Sequence, residues 1–392
     1  MEASAAPRDY VALAEALAPR IAAAADDIER ERRLPPALLA ELLNAGLFRL
    51  LLPRSLHGAE VDPLTFVRVI EAIAKADGST AWCLCQTTVC SLVAGWLPLQ
   101  SGQEIFGRDP NAILAWGAMS DGRAVATDGG YRVTGSWSFA SGGRHATWLG
   151  AHCLIYEPDG KPRLDPAGGR AVRTVLFPAS AATMTDIWHV VGLRGTASDA
   201  YAVSDLLVPE AFTVVRDDPA ERRETGALYG MTTGGLFACG FACVALGLAR
   251  SLLDGFVELA REKTPYAYKT SLRENALAHL DIGAAEARLR AARMYLIGTL
   301  SEVWEAVQCS NRLTLDQRMA MRLAATHVIH EAVEVADAAY GAAGATAIFE
   351  RNSFERRFRD IHTLTQQLQG RRMHFENVGR YLLGLEPDLR FA

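Results

Sequence analysis

The sequence predicts an α+β protein in three blocks. These are an N-terminal helical domain over residues 1–111, a central antiparallel β-barrel or sandwich over 112–215, and a C-terminal four-helix bundle over 216–392. Two observations carry the prediction. Between Ala112 and Pro209 helical periodicity gives way to short runs of β-branched and aromatic residues punctuated by glycine turns. On both sides of that stretch apolar residues recur at helical spacing over long distances.

In the first block, helical spacing runs from Tyr10 to Asn44, with Pro35-Pro36 opening a new helix after a break. Asp62 reads as the N-cap of a helix over Leu64–Lys75, because a short carboxylate can accept from free first-turn N–H groups. After the turn at Asp77 comes a helix from Trp82 that is apolar on nearly every side, so it is expected to be buried.

In the second block, strands are expected at Ile113–Trp116, Arg123–Thr127, Tyr131–Phe139, Trp148–Tyr156, Val172–Phe177 and Tyr201–Val208. Asp128-Gly129 is a strong hairpin signal, since a type I′ turn needs residues that tolerate positive φ. In the third block, helices are expected over Leu236–Glu262, Asn275–Val307, Leu315–Ala339 and Ser353–Leu383, joined by short loops. Such long alanine-rich helices usually pack on partners, which favours an oligomer.

Composition limits the function classes. Of 392 residues, 50% are hydrophobic and 22% charged, and the net charge is −5 with no basic tract, so no nucleic-acid partner is expected. No apolar run reaches the roughly 18 residues that cross a bilayer, the nearest being Gly234–Leu248, so no membrane partner is expected. Seven scattered cysteines form no disulfide framework and fit a reduced cytoplasmic protein. The N-terminal stretch lacks the basic and apolar regions of a signal peptide.

Five constellations could carry chemistry. His327, His330, Glu331 and Glu334 share a helix face, but a dimetal bundle needs a second Glu-x-x-His, so no metal is expected there. Tyr340-Gly-Ala-Ala-Gly344 reads as a helix C-cap or as a loop approaching a phosphate. Strand alternation would put Trp137, Phe139 and Ser141 on one face, either as a core stripe or as a surface for a planar ring. Arg194 to Ser198 is a turn or an anion-binding element. The basic start of the last helix, Phe354 to His362, is a solvated face or a contact to a neighbouring subunit.

Taken in order and at their intervals, several segments resemble the acyl-CoA dehydrogenase superfamily, most closely its two-component flavin-dependent monooxygenases. They are Asp77 to Trp82, Gly129 to Gly142, Gly192 to Ser198 followed by Val208 to Glu210, Tyr340 to Gly344, and Arg359-Asp360. The resemblance implies a flavin between the β domain and the bundle of a homotetramer built as a dimer of dimers. It implies that Trp116 and Gly117 meet the flavin ring and that Phe139 and Ser141 flank it. It also implies that Tyr340, Gly341 and Gly344 meet the cofactor phosphates across an interface.

A dehydrogenase needs a carboxylate to remove the proton α to a thioester. The family's glutamate position falls on Leu368, and the alternative stretch Thr232–Ala242 contains no acid. The resemblance therefore implies a monooxygenase that uses reduced flavin (FMN or FAD) and O2 on an aromatic or polyketide-like small molecule. No nicotinamide-binding Gly-x-Gly-x-x-Gly motif is present, so a separate flavin reductase is expected. The expected roles are Ser141 hydrogen-bonding the flavin or its oxygen adduct, Gln367 or His362 facing the substrate, and Trp82 and Arg194 contacting it. An acyl-CoA dehydrogenase with a displaced base and a non-catalytic member of the fold are the alternatives.

Overall fold

The computed structural model describes residues 8–118, 122–266 and 269–389. The helical entry comprises α1 (Tyr10–Ala23), α2 (Ala25–Glu31), α3 (Pro36–Asn44), α4 (Pro63–Ala76), α5 (Gly78–Ser91) and the short α6 (Leu99–Gly102). The stretch expected as two helices is three, because the chain also breaks at Ala24 and then turns through Arg32 at φ 54°. Asp62 caps α4 by accepting from the Thr65 N–H at 2.9 Å, and Asp77 caps α5 from Thr80 at 2.7 Å. Every residue of α5 except Gln86 is buried.

The central sheet contains β1 (Leu114–Trp116), β2 (Arg123–Thr127), β3 (Gly130–Ala140), β4 (Trp148–Tyr156), β5 (Val172–Pro178), β6 (Thr183–Thr185), β7 (Asp199–Pro209) and β8 (Thr213–Val214). Its order is β6-β7-β3-β2-β4-β5-β8, with β1 also on β4. The hairpin at Asp128-Gly129 joins β2 to β3, with Gly129 at φ 76°. The six expected strands are present; β6 and β8 are additional short pieces.

The sheet is not purely antiparallel. β1 and β2 both run parallel to β4, against its first and last residues respectively, so they act as two halves of one interrupted strand. Glycines border the interruption because the chain there presses on β3. A Cβ on Gly117 would lie 2.5 Å from the Ser138 carbonyl oxygen, and one on Gly122 would lie 2.4 Å from the Trp137 ring.

The bundle consists of α7 (Thr233–Glu262), α8 (Ala276–Ser310), α9 (Leu315–Ala343), α10 (Ser353–Thr365) and α11 (Met373–Leu382). α7 is long and apolar enough to cross a membrane by length and composition, but 89% of its apolar window is buried against the rest of the protein. Its hydropathy serves the core between α4, α5, α8 and α9. The last helix, expected as one piece, is broken by a single turn at Leu368–Gly370. There Gln367 folds its side chain onto the Gln369 N–H at 2.7 Å, which competes with helix continuation.

Candidate active site

Where α5, α7 and the end of β1 converge, aromatic rings form a buried wall. Trp82 stacks on Phe241 with centroids 4.0 Å apart, and Phe241 lies nearly parallel to Phe237 at 5.8 Å. Phe237 then meets the edge of Trp116 at 6.3 Å. Residues 234, 237 and 241 of α7 share one helix face by their i, i+3 and i+7 spacing, so Gly234 continues the stripe without a side chain. The sequence reading found Trp82 and Trp116 but missed Phe237 and Phe241, which lie in an uninterrupted apolar run where periodicity cannot mark a site.

Ser141 joins this wall to the turn at residues 193–198. Its hydroxyl oxygen accepts from the Trp82 indole N–H at 2.8 Å and lies 2.6 Å from the Ser198 hydroxyl, which is 2.8 Å from that of Thr196. Thr196 in turn donates to the Leu193 carbonyl at 2.9 Å. All three hydroxyl residues are buried, so the chain is a closed, satisfied network that fixes the indole.

The expected common face of Trp137, Phe139 and Ser141 is not formed. A bulge between Trp137 and Ala140 interrupts the β3–β7 register. Trp137 is fully buried against Tyr201, whereas Phe139 adopts φ 65° and is 59% exposed. Its ring meets Trp188 edge-on at 6.2 Å. Alternation fails because the extra bulge residue reverses the side-chain order.

Trp116 is sunk between Phe237 and His152, with the Arg216 guanidinium 5.5 Å from its ring centroid. His152 is driven well below the ordinary imidazole range by burial, then by Arg216, and packs as a neutral ring. The Gly117 N–H donates to the Tyr201 hydroxyl at 3.2 Å.

The turn after α10 brings three groups to the bundle side. The Gln367 side-chain NH2 is buried without an acceptor. Gln369 accepts from Arg322 of α9, and His330 Nε2 lies 3.0 Å from the Gly370 carbonyl oxygen. Leu368, at the family's glutamate position, is partly exposed.

Five expected site residues lie elsewhere in this chain. Tyr340 and Gly341 belong to the last turn of α9 rather than to a loop, and Gly344 is its C-cap at φ 57° and ψ −147°. Lys263 donates to the terminal Ala343 carbonyl at 2.6 Å. His362 Nε2 lies 2.8 Å from Asp337 Oδ1, and its ring packs on Phe358, which stacks on Tyr340. Arg194 approaches Glu29 of α2 at 3.5 Å, and no contact joins it to the aromatic wall among the described residues.

Asp360, from the basic start of α10, is buried and accepts the Leu193 N–H at 2.5 Å. Burial and then the neighbouring Asp77 raise its pKa to about 8, against the pull of that N–H.

The family model described as acyl-CoA dehydrogenase, N-terminal domain, matches residues 10–97, and that described as acyl-CoA dehydrogenase, C-terminal domain, matches residues 239–369. Among relatives, an indole-3-acetate monooxygenase of Pseudomonas putida is 29% identical over 92% of this chain and 90% of its own length. The flavin-dependent monooxygenase oxygenase subunit HsaA of Mycobacterium tuberculosis is 27% identical over 91% and 90%. The crystal structure of that enzyme superposes with a TM-score of 0.90 at 25% identity, over 98% of this chain and 99% of its own. XiaF from Streptomyces, solved with FADH2 and glycerol, gives 0.89 at 26% identity over 97% and 96%. The chain belongs to the acyl-CoA dehydrogenase superfamily, in its flavin-dependent monooxygenase branch.

Proposed function

We propose that this chain is the oxygenase component of a two-component flavin-dependent monooxygenase. It hydroxylates an aromatic small molecule with reduced flavin and O2, and a separate reductase supplies the reduced flavin. The carrying observation is the buried aromatic wall from Trp82 to Trp116, in a chain whose two family positions for the carboxylate of α-proton removal hold Leu368 and the acid-free stretch Thr232–Ala242. Flat rings pack well against such a wall. Relatives named as oxygenase subunits or components support the need for a reductase.

The residues fit a flavin at the sheet edge beside the wall. Phe139 is a large exposed aromatic held at positive φ next to Trp188, a surface suited to covering a planar ring. Bound reduced flavin supplies the electrons that activate O2. The protein excludes water with the wall, fixes the Trp82 indole through Ser141, and offers the free Gln367 NH2 as a donor to the substrate. Glutamine holds a group by hydrogen bonding but does not take its proton.

Tyr340, Gly341 and Gly344 have no role within the wall of their own protomer, so their cofactor contact is assigned across an interface. The exposed apolar residues Leu277, Leu280 and Met294 on α8 support assembly as a homotetramer. Six buried free cysteines support a reducing, cytoplasmic setting.

Anaerobic titration with reduced FMN and reduced FAD, followed by O2 and analysis of aromatic products, tests the reading. Tight binding of reduced flavin and oxygen-dependent hydroxylation are expected. Bleaching of bound oxidised flavin by an acyl-CoA would instead establish the dehydrogenase, and failure to bind either flavin would establish a non-catalytic fold.

A further inference from the structure

We propose that Arg322 is an anion anchor beside the aromatic wall and that the substrate is an aromatic acid whose carboxylate it receives. The inference rests on the monooxygenase reading. Arg322 lies in the third turn of α9 with only 4% of its surface exposed. One nitrogen donates to the Gln369 amide oxygen, and its Nε is buried without an acceptor. Among the described residues no carboxylate lies within ion-pair distance of it. Its electrostatic neighbours are instead Arg318, the Cys239 thiol and the buried His374 ring, which Arg322 helps to hold below the ordinary imidazole range. A buried guanidinium held by one neutral amide is an expensive arrangement for a fold to keep without a second partner.

The second observation is the Gln367 side-chain NH2, also buried without an acceptor. Its orientation is set, because the carbonyl end of the same amide accepts the Gln369 N–H at 2.7 Å. The Arg322 Nε and the Gln367 NH2 are both donors, so the partner that would satisfy them is an acceptor. A carboxylate offers two oxygens with about four lone-pair sites.

The anchor lies beside the wall. A Cβ on Gly234 would be 3.8 Å from an Arg322 terminal nitrogen, so glycine leaves that side of the guanidinium open. Gly234 is one turn before Phe237 on the same face, about 4.5 Å along the axis at 1.5 Å per residue. An acid group one or two carbons from an aromatic ring spans that interval. The Asp217 carboxylate does not fill the role, since it is engaged by the Thr233 N–H at 3.0 Å and by the Thr233 hydroxyl.

The test uses the chain loaded anaerobically with reduced FMN, and calorimetric Kd values for two matched pairs: indole-3-acetate with indole-3-acetamide, and phenylacetate with phenylacetamide. In at least one pair the acid is expected to bind ten times or more tighter than the amide. Arg322→Gln and Arg322→Met should abolish that preference, Arg322→Lys should keep part of it, and reduced-FMN affinity should stay within twofold. Arg322→Met should melt no lower than the parent, because it removes an unpaired buried charge.

Equal binding of acid and amide overturns the proposal, as does a preference that survives in both variants. Loss of reduced-FMN affinity on substitution would make Arg322 a flavin-phosphate contact. A lower melting temperature with the preference intact would make it a structural bridge. If the parent chain binds neither reduced FMN nor reduced FAD, the monooxygenase reading fails separately, and the acid–amide comparison on the flavin-free chain still decides the role of Arg322.

Discussion

Phe139 keeps a large ring exposed at a backbone angle that L-residues avoid, at a cost of about 1–2 kcal/mol. Phe139→Gly is therefore expected to raise stability by about 1 kcal/mol in urea unfolding while weakening reduced-FMN binding several-fold; unchanged flavin affinity would show that the ring has no cofactor role. Ser141→Ala acts the other way. It leaves the buried Trp82 N–H without its acceptor and is expected to cost about 1–3 kcal/mol, read from the same unfolding curves. These two residues show what was legible. The Trp-x-Phe-Ala-Ser-Gly run could be picked out of the sequence, but not the bulge inside it, because local alternation carries no trace of a register shift made with β7. Arg322 could not be picked out at all: an arginine in a helix reads as surface until three-dimensional packing buries it.

At the level of elements, the contact between α10 and the turn at Leu193 runs through Asp360. Its carboxyl stays protonated in the fold up to about pH 8 but ionises near pH 4 when unfolded, so the folded state holds the extra proton between those values. This contribution to stability is complete below about pH 4 and is lost as the pH rises through 8. Between pH 6 and 8 the chain should lose roughly 1–3 kcal/mol from this group, and Asp360→Asn should flatten that slope in urea titrations at the two pH values. At the other end of α9, Gly344 occupies a backbone region reserved for glycine. Gly344→Ala should cost about 1–3 kcal/mol by thermal unfolding. The element boundary at Asp62 was legible because a capping residue marks it, whereas the helix read from Trp82 begins at Gly78 with Asp77 as its cap. The break at Gln367 was not, since glutamine is an ordinary helix former and only its folded side chain ends the helix.

For the whole molecule, the order of helices, sheet and bundle was readable because the hydrophobic period changes at each boundary between blocks. The assembly was less so, since exposed apolar residues on α8 emerge only once its faces are known. The proposed homotetramer predicts that Leu280→Glu with Met294→Glu gives smaller species in sedimentation experiments without unfolding the protomer. The burial of α5 has a further consequence. Thirteen of its fourteen residues have no surface to change, so that side of the wall is a fixed anvil shared by every block. New substrate preferences can then be acquired only through side chains outside α5.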